Sequence, residues 1–147
     1  MPARSFLTEK EEQQIINAIA RAEEKTSGEI RIHMEHRCEG DPLERASEIF
    51  HELGMDQTKY QNGVLIYVAT EDHKVAVYAG KGIHRQVEEG FWDDVLAFII
   101  QHFKKDAYEQ GIEEAVHKVG EKLTEQFPYR QKGDLNELSD EISYNKN

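Results

Sequence analysis

Cysteine is nearly absent: Cys38 is the only one in 147 residues. An internal disulfide is therefore impossible, and so is a thiolate zinc cluster. Basic residues are also scarce, 18 against 29 acidic ones, for a formal net charge of −11. Nucleic acid and anionic membranes both need a basic footprint, so neither is expected as a main partner. Divalent cations, cationic ligands and basic protein surfaces suit that balance better. No run approaches the roughly 18 apolar residues of a membrane span. MPARSFLTEKEE, at the start, has no apolar core of signal-peptide length, and the expectation is a cytoplasmic protein. Internal repeats, linkers, a GxSxG elbow and a helical histidine pair with zinc spacing are all missing from the sequence. His102 and His117 read as helix-surface or packed residues, and Cys38 has no local signature of a nucleophile.

What is there alternates between two periods. Thr8 and Glu11 have the spacing of a capping box, and Ile15, Ile16 and Ile19 follow on one face, predicting a helix from about Thr8 to Lys25. Ile30, Ile32, Met34 and His36 alternate with Arg31, His33 and Glu35, as in a strand with one wet face. Asp41-Pro42-Leu43-Glu44 offers an N-cap and an N1 proline for a second helix ending near Gly54. Val64 to Ala69 is apolar throughout, which predicts a central strand covered on both faces. Lys74 to Ala79 follows too soon for a crossover, so these two strands form an antiparallel hairpin with Asp72 and His73 at an exposed tip. Helices are expected over 91–103, apolar around much of its circumference and so read as well buried, and from Asp106 to about Phe127. The fold class is α/β, a three-layer α/β/α sandwich around a small mixed sheet, with a parallel first pair and helices on both faces. One domain is expected over 1–130. The acidic segment 131–147 is read as a loosely ordered tail that adds little to stability, with Leu135, Leu138 and Ile142 as its apolar anchors.

That topology gathers two groups of polar residues. One edge holds Glu29, Asn62, the Gly80-Lys81-Gly82 segment, His84, Glu88, Glu89 and Asp93. The other holds His36, Cys38, Glu39, Asp41 and Asp72. Gly80 and Gly82 lack the fuller GxxxxGK[ST] pattern, so they read as a hinge rather than a phosphate cradle. The carboxylates nearby suit a hard cation, which takes six to eight oxygens. The bland alternative is acids that solvate the surface and favour a helix N-terminus. If the carboxylates cluster, Glu88→Gln should leave the metal-free fold equally or more stable.

SGEIRIHME (27–35), LGM (53–55) ahead of Thr58, NGVLIYVA (62–69), YAGKGIH (78–84), FW (91–92) and a later GI (111–112) occur in order. Together they resemble the TPM domain family of thylakoid-lumen, photosystem II repair and receptor-modulating proteins, over roughly residues 6 to 129. NELSDEIS (136–143) is similar to the tail of a short soluble bacterial subgroup. The resemblance implies an α/β/α sandwich, divalent-cation binding by calcium especially, and the acid phosphatase activity of plant members. Asn62-Gly63, Asp72, Gly80 and Gly82 match the family pattern, whereas Val87-Glu88 replaces a Thr-Asp pair. Many members carry a membrane anchor that this sequence lacks. Two functions are therefore expected as alternatives. One is a Ca2+- or Mg2+-binding module that meets an unidentified protein partner. Its candidate ligands are Glu29, Glu88, Glu89, Asp93 and Asp72, with Asn62, Gly80 and Gly82 lining the site. The other is a metal-dependent acid phosphatase acting on phosphomonoesters, with His84 and Glu88 as its acid/base candidates.

Overall fold

A computed structural model describes residues 6–128 and 142–144. The chain runs α1 (Glu9–Glu23), β1 (Glu29–Glu35), α2 (Pro42–Glu52), a 3-10 turn (Met55–Gln57), β2 (Gly63–Ala69) and β3 (Lys74–Ala79). It continues through α3 (Lys81–His84), α4 (Phe91–Lys104), α5 (Tyr108–Gln126) and β4 (Ser143–Tyr144). Both helix starts read from the sequence are present. Thr8 and Glu11 exchange side-chain-to-backbone bonds in a capping box on α1, and Asp41 caps α2 ahead of Pro42.

The sheet order is β3-β2-β1-β4, with β1 parallel to β2 and β3 antiparallel to β2. One face packs Ile32, Ile66 and Val77 against Ile19 of α1, Ile99 of α4 and Val116 of α5. The other packs Leu65, Tyr67 and Ala76 against Ala46, Ile49 and Phe50 of α2. This is the expected α/β/α sandwich, with β2 buried along its whole length on both sides. Each fully buried Ile or Leu contributes about 1.5–3 kcal/mol relative to exposure. Asp72 and His73 sit exposed between the hairpin strands, and His73 has a positive φ of 53°. No helix among the described residues is long and apolar enough to cross a membrane.

Three features depart from the sequence reading. Residues 129–141 lie outside the described residues, but Ile142 is 7% exposed, and Ser143–Tyr144 form a fourth strand parallel to β1. Tyr144 also donates its hydroxyl to Glu12 at 2.8 Å. Two residues are too few to show a period, so this strand left no sequence signal. β1 has no wet face over its second half either: His33 is 2% exposed and Glu35 is fully buried. Helix α4 buries only Val95, Ile99 and Phe103, leaving Phe91, Trp92 and Leu96 half-buried along its flanks.

Candidate functional site

The glycine segment after β3 is fixed by backbone packing. A Cβ on Gly80 would lie 2.5 Å from the Gln61 carbonyl oxygen, and one on Gly82 only 2.0 Å from that of Tyr60. Neither glycine has a positive φ; both are required because the loop before β2 presses directly on them. Their amides serve that contact. Gly80 N donates to Gly63 O and Gly82 N to Gln61 O, each at 2.8 Å. The Gly80 carbonyl accepts from His84 N at 2.9 Å and closes the single turn of α3. These groups are spent inside the fold, on a close-packed support rather than an open hinge facing a ligand.

The predicted site residues fall into three places. Glu29 and Asn62 are buried at the starts of β1 and β2, where Glu29 N donates to Asn62 O and the Asn62 amide reaches Ser27 Oγ at 3.4 Å. Asp72 lies at the far end of the sheet and accepts from Cys38 N at 2.9 Å, tying the hairpin to the loop before α2. Asp41 is occupied as the α2 cap, accepting from Glu44 N at 3.0 Å. His84, Glu88, Glu89 and Asp93, all exposed, line one groove. Among the described residues, no group of three histidines, cysteines or carboxylates stands in a metal-ligating arrangement.

That groove, of about 840 Å3, follows the outer edge of β3. Pro42 and Leu43 of α2 form one wall, and Trp92 and Leu96 of α4 form the other. Leu43 is 50% exposed, the one large hydrophobic left open among the described residues. The Trp92 indole N–H is buried with no acceptor among them. Asp41, Glu89 and Asp93 give the rim its negative charge, opposed by Lys81.

Glu88 is less available than its neighbours. Lys122 Nζ lies 3.0 and 3.1 Å from its two carboxylate oxygens. The residue's own backbone N–H, and then Lys122, hold the Glu88 carboxyl below the ordinary glutamate range. The contribution of such a group is present above its unfolded pKa and lost as pH falls through the folded one. Glu88→Gln therefore removes an attraction, which corrects the expectation that it would relieve repulsion and leave the fold equally or more stable. The pair is solvent-exposed and screened, so the loss is small. The same ion pair engages the carboxylate named as the acid/base companion of His84.

A second polar cluster escaped the sequence reading. Buried Glu35 accepts from Arg45 Nε at 3.0 and 3.1 Å, from a second Arg45 nitrogen, and from the Tyr67 hydroxyl at 2.6 Å. His33 Nε2 lies 3.3 Å from Glu35, and its Nδ1 lies 2.7 Å from Ser143 Oγ. The bond to Glu35 raises the Arg45 guanidinium further, while burial, then the same carboxylate, pushes the Tyr67 phenol up. Its members come from β1, α2, β2 and β4, and only the folded sheet brings them together.

The architecture defines a class first: a small α/β/α domain with a mixed sheet and a groove along one strand edge. The chain belongs to the TPM domain family, whose model matches residues 3–122. The BA42 protein of the psychrophilic bacterium Bizionia argentinensis is similar at 46% identity and a TM-score of 0.87, over 95% of this chain and 96% of that one. More distant are the N-terminal domain of a P. gingivalis protein, at 17% identity and a TM-score of 0.70, and that of cg2496 from Corynebacterium glutamicum, at 14% and 0.63. They cover 86% and 80% of this chain and 83% and 74% of their own. Those two share the fold alone. No curated protein matches the chain.

Proposed function

We propose that this TPM domain is a binding module that meets a protein partner in the groove along β3 and takes a divalent cation at the groove's acidic rim. The observation that carries the reading is the groove itself, with apolar walls and Glu89 and Asp93 exposed beside it. Two carboxylates complete no closed cage, but they suit a cation that keeps most of its water, as magnesium does and as calcium tolerates in exposed sites. Glu29 and Asp72 take no part, since one is buried elsewhere and the other is bonded to Cys38. The phosphatase alternative would need a metal to neutralise the phosphoryl group and polarise water. Binding by Lys122 draws Glu88 away from that role and favours the module.

Calcium titration of the 15N-labelled protein at constant ionic strength tests the cation arm. Millimolar calcium is expected to move the amides around Glu89 and Asp93, and the double variant Glu89→Gln/Asp93→Asn to abolish the movement. Shifts elsewhere, or none, would remove the cation from this site. For the alternative, hydrolysis of p-nitrophenyl phosphate that falls in His84→Ala would reinstate catalysis.

A further inference from the structure

The β2–β3 register determines what the groove offers. Gly80 N donates to Gly63 O, which makes that pair a hydrogen-bonded one. Narrow and wide pairs alternate along an antiparallel ladder. Tyr78–Leu65 and Ala76–Tyr67 are then bonded pairs, while Ala79–Val64, Val77–Ile66 and Val75–Val68 are not. In non-bonded pairs the amide and carbonyl point away from the partner strand. Val75, Val77 and Ala79 thus turn three N–H and three C=O groups outward. β3 ends the sheet, and among the described residues no backbone hydrogen bond outside the sheet reaches those amides. All three residues line the groove.

From this we infer that the groove is a strand-addition site, which takes an extended peptide of another protein alongside β3, basic and apolar in alternation. The inference rests on the binding-module reading and names the class of partner. An extended backbone is the chemistry that matches donors and acceptors alternating at two-residue spacing, and main-chain bonds supply affinity in this mode while side chains select. Alternate residues of an added strand face opposite sides of the sheet, toward Leu43 on one wall and Trp92 and Leu96 on the other. Asp41, Glu89 and Asp93 on the rim favour a basic segment. A second copy of this chain fits poorly. The edge is recessed between α2 and α4, so a facing molecule would drive its own helices into these walls. It would also set the same three acids against their duplicates. Natural sheet edges are commonly covered or charged to prevent pairing; here the exposed Leu43 adds an apolar contact beside the acidic rim.

The test uses the full chain and a peptide of about ten residues alternating valine with lysine, long enough to span β3. Trp92, the only tryptophan in the sequence, reports on the groove wall by fluorescence. Amide exchange reports on the edge. In the free protein Val75, Val77 and Ala79 should exchange faster than Ala76 and Tyr78, whose amides face β2. Saturating peptide should slow the three edge amides by about tenfold or more and change Trp92 emission. The same peptide N-methylated at every residue should bind at least about tenfold more weakly, since it can donate nothing to the edge. A glutamate-for-lysine peptide should also bind more weakly. Equal binding of the N-methylated peptide would overturn strand addition while leaving the groove a binding site. A calcium response without any peptide response would overturn it too, and confine the module to its cation. Concentration-dependent dimerisation that protects the same amides would assign the edge to a second copy instead.

Discussion

A Cβ at Gly82 would sit 2.0 Å from a backbone oxygen, whereas one at Gly40 would meet nothing within 4 Å. The two glycines should therefore respond oppositely to alanine. Gly82→Ala has no flexible side chain to displace and should cost about 3 kcal/mol or more, the upper end of overpacking. Gly40→Ala should gain roughly 0.4–1 kcal/mol by restricting the unfolded chain, or about 2 °C in Tm. Urea melts of both variants check this, and a tolerated Gly82→Ala would contradict the close approach to Tyr60. Glu109 supplies a pH dependence. Burial, then the charges of Glu113 and Glu11, raises its carboxyl above the ordinary range, and Oε1 is buried with no hydrogen bond among the described residues. An acid whose folded pKa is raised binds its proton more tightly when folded. Its contribution is thus favourable at low pH and is lost as pH climbs through the window above about 4.3. Glu109→Gln should raise Tm at pH 7, and that advantage should shrink toward pH 4. A constant difference across that range would show that the charge is not the cause.

Among the elements, β4 is where sequence and structure part most clearly. Removing residues 142–147 takes the buried Ile142 out of the core, breaks the pairing with β1, and deletes the Ser143–His33 and Tyr144–Glu12 contacts. Burial of one isoleucine with one or two net hydrogen bonds amounts to about 2–4 kcal/mol, so Tm should fall by roughly 5–10 °C. A melting temperature unchanged within a few degrees would return these residues to the role of an idle tail. The long elements were legible because their signals are local. The Thr8 capping box, the Asp41-Pro42 start and the unbroken apolar run of β2 each lie within a few neighbouring residues. Half the candidate site was legible on the same terms, since His84, Glu88, Glu89 and Asp93 follow β3 in quick succession. Its other wall was not. Leu43 lies 50 positions before Asp93 in the sequence, and only the sandwich sets α2 opposite α4. Glu35 misled for a related reason: alternation says which residues share a face but not whether a distant arginine covers it.

Taken whole, the molecule carries its −11 charge on a thin sandwich. Any added salt will therefore relieve self-repulsion, and a calcium effect is meaningful only against an equal ionic strength of sodium. The central position of β1 also has a consequence in time. Its neighbours are β2, close by in sequence, and β4, whose Ser143 meets His33 across 110 residues. The loop after α1 likewise meets α5 late, for Thr26 donates its hydroxyl to the Leu123 carbonyl and bridges to Pro128. Closing such long loops before their contacts form slows folding. During synthesis, β1, α2 and the β2–β3 hairpin leave the ribosome well before α5 and β4 exist to cover them. The nascent chain must therefore pass through a stage in which β1 has one bare edge and the sheet face shared by α1, α4 and α5 is only partly covered. In the finished protein that edge is covered by β4 and that face is completed by α5, while among the described residues no strand pairs with the outer edge of β3.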